Sequence, residues 1–438
     1  MEQGVVRFIT AGSVDDGKST LIGRLLYDTK SILVDQMESL SKTRHARAVS
    51  TEAGIDLALL TDGLEAEREQ GITIDVAYRY FSTPQRKFIV ADAPGHEQYT
   101  RNLVTGASQS DVAVVLVDAT RVDLSTQPAT LLAQTKRHAA IIRLLGLRHV
   151  VFVINKMDLL DFNELTFNAI GESITDLTQK LGLPKPQLIP ISALLGINVV
   201  EKSAATPWYR GQTLLQWLEN LDLGVDNKSA EFRFPVQFVA RQDGSDANGF
   251  RGYMGRIDAG HVSVGQKITV LPSGRQSTVT EIYLANGSGA LDTNNAVPSA
   301  ATDQTVTLCL SEELDVSRGD LFIQTDGLTP PALTQLISAD LCWLDSEPLS
   351  LTRKYALRHT TNTVSAKVKR IEQVLDVHTL LHGTDVQVLN ANDIGRVELV
   401  LQKPIAADLF DEARRTGCFI LIDEATNHTV AAGMIRNA

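Results

Sequence analysis

Gly12-Ser13-Val14-Asp15-Asp16-Gly17-Lys18-Ser19 sets four residues between two glycines and closes on a lysine and a hydroxyl. An apolar run, Val6-Arg7-Phe8-Ile9-Thr10-Ala11, precedes it, and a helical stretch from Lys18 to Tyr27 follows. Strand, glycine-bounded loop and helix N-terminus make a phosphate cradle, because backbone N–H groups converge where the helix dipole favours negative charge. Glycines let the chain wrap closely around the ligand. The spacing predicts that Gly12, Ser13, Val14, Asp15, Asp16, Gly17, Lys18, Ser19 and Thr20 hold a triphosphate. The Lys18 ammonium would reach the β- and γ-phosphates and the Ser19 hydroxyl would coordinate Mg²⁺. The plainer alternative is a turn carrying a surface lysine.

Further polar residues stand at the ends of other apolar runs. Asp92-Ala93-Pro94-Gly95-His96 follows Phe88-Ile89-Val90-Ala91. An aspartate there can hold Mg²⁺ through water, and Gly95 can offer its N–H to the γ-phosphate. His96 is the candidate for orienting an attacking water, against the alternative of a structural histidine. Thr73, in Gly71-Ile72-Thr73-Ile74-Asp75, is the candidate second hydroxyl on the metal, released when the γ-phosphate leaves. Metal ligation is therefore expected from Ser19, Thr73 and Asp92, and catalysis from His96, Thr73 and Lys18.

Asn155-Lys156-Met157-Asp158 follows Val150-Val151-Phe152-Val153-Ile154. The Asp158 carboxylate can accept from the ring N–H and exocyclic amine that distinguish guanine from adenine. Asn155 is expected to address the other edge of the base, and the Lys156 stem to pack over its plane. Ser192-Ala193-Leu194, after Leu188-Ile189-Pro190-Ile191, would supply a backbone N–H to the guanine oxygen. ATP is the alternative ligand, and Asp158 argues against it.

Continuous apolar strands alternating with helices predict an α/β P-loop domain with a doubly wound, mostly parallel sheet over residues 1–223. Thr213-Leu214-Leu215-Gln216-Trp217-Leu218 reads as its last helix. A polar linker from Gly224 to Ser229 follows. Beyond it, short alternating strands broken by glycine predict two antiparallel β-barrels, at 230–325 and 332–438, parted near Thr325 to Pro331.

The 438-residue chain has a formal net charge of −11, which disfavours nucleic acid as a main partner. No apolar run reaches the ~20 residues of a membrane span, and no signal peptide is read. Its three cysteines, Cys309, Cys342 and Cys418, show no metal spacing and fit reduced thiols in the cytoplasm.

Together with Glu67-Arg68-Glu69-Gln70-Gly71-Ile72-Thr73-Ile74-Asp75, these motifs resemble the translational GTPases of the elongation factor Tu class. Within that class the chain is most similar to the GTPase subunits of bacterial heterodimeric sulfate adenylyltransferase. Asp15-Asp16, Asp75-Val76-Ala77-Tyr78-Arg79-Tyr80-Phe81, Phe234-Pro235-Val236-Gln237, Arg251-Gly252-Tyr253 and Arg318-Gly319-Asp320 carry that likeness. It implies that GTP hydrolysis drives formation of adenylyl sulfate and pyrophosphate from ATP and sulfate, with adenylyl transfer on a separate small subunit. The chain shows no second phosphate loop and no His-x-Gly-His pair, and no fused sulfate-adenosine kinase domain is expected before Ala438. Two departures stand out. Ala93 occupies a position where threonine is commoner, and the Arg121–Ala133 connection is longer than usual.

An aminoacyl-tRNA carrier is the competing reading. Arg353, Lys354, Arg358, Lys367, Lys369 and Arg370 are either a basic patch for an acidic partner or alternating solvent-facing strand residues.

Overall fold

β1 (Val6–Ala11), β2 (Ala77–Ser82), β3 (Lys87–Asp92), β4 (Val112–Asp118), β5 (His149–Asn155) and β6 (Gln187–Pro190) form one sheet in the order β2-β3-β1-β4-β5-β6. All neighbours pair in parallel except β2, which runs antiparallel to β3 along one edge. Every residue of β4 is buried, as a central parallel strand covered on both faces requires. This computed structural model describes residues 4–31, 57, 73, 75–223, 231–241, 250–285, 295–384 and 388–438. The charged stretch Asp62–Gln70 and the linker Gly224–Ser229 lie outside the described residues.

Five helices accompany the sheet among those residues: α1 (Lys18–Asp28), α2 (Thr100–Ser108), α3 (Ala133–Leu144), α4 (Glu164–Leu181) and α5 (Leu214–Asn220). α1 buries Leu21, Ile22, Leu25 and Leu26, one apolar stripe at helical spacing. Each such side chain contributes about 1.5–3 kcal/mol when fully buried. α4 repeats the device with Phe167, Ile170, Ile174 and Leu177, and the side chain of Asn163 caps its first turn by accepting from Thr166 N–H. α5 begins one residue later than its sequence suggests. Thr213 is its cap, and Thr213 and Gln216 bond each other's backbone N–H groups reciprocally.

The chain divides into two compact units, Met1–Leu223 with Asp376–Leu381, and Gly224–Leu375 with His382–Ala438. Both β-rich parts expected from the sequence thus fall in the second unit. The first part is a seven-stranded antiparallel sheet running from Arg233–Pro235 to Leu321–Gln324, around Phe232, Phe234, Tyr253 and Phe322. Two short strands open this part, Arg233–Pro235 and Phe238–Arg241. Val236 and Gln237 turn between them, donating to Asp320 O and Met254 O.

The second part is a closed six-stranded barrel. Lys354–His359 pairs with both Asn362–Leu375 and Cys418–Asp423, and the ring continues through Thr429–Asn437, Ala332–Trp343 and Ile394–Ala407. Trp343 and Tyr355 meet edge to face at 5.9 Å in its core. Closure removes the unpaired strand edges an open sheet would expose. Arg318-Gly319-Asp320 is a strand-end turn in the first part, where Ser317 N–H donates to the Asp320 carboxylate. Cys309 and Cys342 are buried and Cys418 is half-buried, none of them in a disulfide. No helix among the described residues is long and apolar enough to cross a membrane.

Candidate functional site

Strand register gathers the motifs on one edge. Thr10 pairs with Asp92 and Asp118 with Asn155, so the loops after β1, β3, β4 and β5 leave the sheet at the same end. β1 lies between β3 and β4, making it the point where successive connections diverge to opposite sides, and ligands of open α/β sheets bind outside such points.

The loop after β1 is tightly determined. Gly12 N–H donates to His138 Nδ1 at 3.0 Å, and Ser13 N–H to Asp16 Oδ2 at 2.5 Å. The Lys18 ammonium is turned onto the loop's own carbonyls, 2.7 Å from Ser13 O and 3.2 Å from Gly12 O. Burial lowers its affinity for a proton, while Asp16, Asp92 and Asp15 counter that effect. Gly17 has φ +92°, and a Cβ there would stand 2.4 Å from the Asn155 side-chain nitrogen. Gly95 meets the same loop from β3, where a Cβ would fall 2.4 Å from Lys18 Nζ and 2.7 Å from the Ser13 carbonyl carbon. Only glycine fits either place.

Ser19 and Asp92 come together. The Ser19 hydroxyl donates to Asp92 Oδ2 at 3.3 Å and the Thr10 hydroxyl to Asp92 Oδ1 at 3.3 Å. These are hard oxygen donors of the kind Mg²⁺ takes. No cluster of three or more His, Cys, Asp or Glu able to hold a metal occurs among the described residues. Thr73 is half-buried, and its neighbours from 58 to 72 lie outside the described residues. Ala93, Pro94 and Gly95 are buried, whereas His96 is exposed with its ring edge-on to Tyr99 at 6.1 Å. Val14 and Thr20 are half-buried, and Asp15 is exposed with φ +65°.

Asn155 is also engaged within the protein. It is buried, its amide nitrogen donates to Asp16 O at 2.8 Å, and its amide oxygen accepts from Ala193 N–H at 2.9 Å. It ties the phosphate loop to the loop after β6. It ends a strand that is buried along all but its first residue, His149. Lys156, at φ +62°, pairs with Asp118 at 2.7 Å. Burial pushes the Asp118 carboxyl up, but hydrogen bonds from Lys156 and Thr120 outweigh it and hold the group below the ordinary carboxylate range. Met157 is buried and Asp158 half-buried.

The motifs did not reveal how several residues support the loop. Asp16 is fully buried, and desolvation raises its carboxyl to about 6 despite the nearby Lys18 ammonium. Arg121 donates to Val14 O at 2.6 Å and lies 3.8 Å from Asp16 Oδ1. It stands at the start of the long connection after β4, which gives that connection a hold on the phosphate loop. His138 is buried on α3, and desolvation lowers its ring to about 3, so the neutral imidazole accepts from Gly12 N–H. A histidine inside an amphipathic helix carries no sequence signal for such a task. In the closed barrel, three of the basic residues have acidic partners: Arg353 with Asp423, and Lys369 and Arg370 with Glu398. Those pairs favour the structural reading of that stretch.

Fold and site together define a P-loop GTPase of the elongation factor Tu type. Residues 3–224 match the elongation factor Tu GTP binding domain family, and residues 336–436 match the GTP-eEF1A C-terminal domain-like family. The chain is 46% identical to sulfate adenylyltransferase subunit 1 of Aliarcobacter butzleri over 434 residues, 99% of this chain and 87% of that one. It is 46% identical to the protein of that name from Pseudoalteromonas atlantica, over 100% of this chain and 88% of that one. For Shewanella oneidensis the identity is 47%, over 99% and 85%. The chain belongs to the sulfate adenylyltransferase subunit 1 family. A solved structure of sup35 complexed with GMPPNP is similar at 23% identity and a TM-score of 0.43, covering 99% of this chain and 94% of that one. The aminoacyl-tRNA carrier finds no better support than this family.

Proposed function

We propose that this chain binds GTP with Mg²⁺ and spends its hydrolysis on the uphill joining of ATP and sulfate into adenylyl sulfate and pyrophosphate. Adenylyl transfer itself is assigned to a second subunit, the partner that the relatives' designation as subunit 1 implies. In this reading the chain consists of a GTPase domain, residues 1–223, and two barrels, 230–325 and 332–438.

One observation carries the proposal: Ser19 and Asp92 stand 3.3 Å apart beside the buried Lys18 ammonium, at the sheet end where the base motif also emerges. Ser19 and, through water, Asp92 would hold Mg²⁺, with Thr73 joining while the γ-phosphate is present. The ion, when bound, neutralises phosphate charge. Lys18 exchanges its loop carbonyls for phosphate oxygens. Amides of residues 12–20 bind the phosphates, and Asp158 accepts from the guanine ring N–H and amine. Exposed His96 orients the water whose oxygen bonds to the γ-phosphorus as the β–γ bridge breaks.

The test is steady-state GTP turnover by the purified chain, alone and with the second subunit, ATP and sulfate. Turnover should rise when all three are added, with adenylyl sulfate accumulating. Turnover indifferent to them removes the coupling.

A further inference from the structure

The loop after β6 is gripped from α1. Arg24, two helical turns beyond Lys18, donates from Nε to Ala193 O at 3.4 Å and from Nη2 to Leu194 O. Its third nitrogen pairs with Asp28 at 3.3 Å, and the guanidinium lies over the Tyr27 ring. The loop rests flat against it, since a Cβ on Gly196 would stand 3.3 Å from Arg24 Cδ.

The loop's amides can be followed one by one. Ser192 N–H donates to Ile197 O, Ala193 N–H to Asn155 Oδ1, and Leu195 N–H to Ser192 Oγ. Leu194 N–H has no partner among the described residues. It belongs to the same planar peptide unit as Ala193 O, so the two point in opposite directions. By holding Ala193 O, Arg24 aims Leu194 N–H away from α1, while Asn155 pins the adjoining amide to the phosphate loop.

We infer that Arg24 is a positioning residue for base selection: it fixes Leu194 N–H as the donor that reads the oxygen at the purine 6-position. Guanine and hypoxanthine offer an acceptor there. Adenine offers an amino group, which would meet the amide donor to donor and leave both unpaired. The inference rests on the guanine reading above and adds which residue sets it. Asp158 reads the 2-amino group separately, so the two discriminations should come apart.

Calorimetry of the full chain with Mg²⁺ and GTP, ITP or ATP tests this. Arg24→Ala should weaken GTP and ITP each by about tenfold, the worth of one good hydrogen bond, and leave ATP unchanged. The GTP-to-ITP ratio should stay within about twofold of wild type, because Asp158 is untouched. Arg24→Lys keeps the charge and stem but cannot hold two carbonyls; it should fall between, and it guards against a misfolded alanine variant. Equal losses for all three nucleotides, or no loss in either variant, overturn the inference. A wild-type chain that does not prefer GTP to ATP sinks the guanine reading itself, a different result.

Discussion

Lys18 Nζ lies 2.7 Å from the carbonyl oxygen of Ser13, so this cation is held by the loop it belongs to. The loop is thereby kept in shape, and binding exchanges one set of acceptors for a charged one. Lys18→Met should weaken GTP by about 10²-fold or more, since hydrogen bonds to charged groups contribute about 1.5–3 kcal/mol each. Calorimetry on the folded variant measures it. An affinity within about threefold of wild type would show that Lys18 contributes little to phosphate binding.

Asp16 makes the same loop pH-sensitive. Its folded carboxyl titrates at about 6 against an ordinary value of 3.8, because burial disfavours the charge. A raised folded value means that stability is fully present below the unfolded value and is lost as pH rises through the folded one. The nucleotide-free wild type should therefore lose about 2–3 kcal/mol between about pH 4 and 6 relative to Asp16→Asn, and the gap should stay constant above. Urea unfolding of both proteins across that range checks it. A pH-independent difference would mean that Arg121 and Lys18 compensate the buried charge fully.

Much of this could be read in the chain, for identifiable reasons. Parallel strands buried on both faces leave unbroken apolar runs such as Val112–Val117, and the polar residues that end them mark the ligand edge. What stayed hidden depends on side chains reaching between elements. Arg24 meets a loop some 170 residues away, and His138 meets Gly12 across 126 residues. Asn155 was legible as part of a motif, yet its bonds to Asp16 and Ala193 were not, because they join loops far apart in sequence. Helix α4 went unnamed because its sequence carries no chemistry, although its apolar spacing is regular.

His96 separates binding from chemistry. Its side chain is exposed, so removing it should leave the melting temperature unchanged. If it orients the attacking water, His96→Ala should lower kcat for GTP hydrolysis by about 10²-fold or more at unchanged GTP affinity. Single-turnover hydrolysis alongside equilibrium titration gives both numbers. Affinity falling in step with turnover would assign His96 a structural part.

Arg233 and Asp408 test what joins the two β-rich parts of the second unit. The guanidinium donates twice to the carboxylate, Nε to Oδ2 at 3.0 Å and Nη2 to Oδ1 at 3.1 Å, and both residues are buried. Arg233 also donates to Thr329 O and Phe232 O, and the Thr416 hydroxyl donates to Asp408. Burying two charges is costly, so the pair is not a large net stabiliser; its energy shows when one partner is removed and the other left unmatched. Arg233→Met should cost about 3–5 kcal/mol and Asp408→Leu a similar amount. The double variant should recover much of the sum, short of wild type because the carbonyls once held by Arg233 lose a donor. Urea unfolding of the four proteins closes the cycle. Strict additivity would mean that the two charges are stabilised independently, and that the two β-rich parts are joined instead by apolar contacts such as that of Ala406 with Leu271, Leu321 and Ile323.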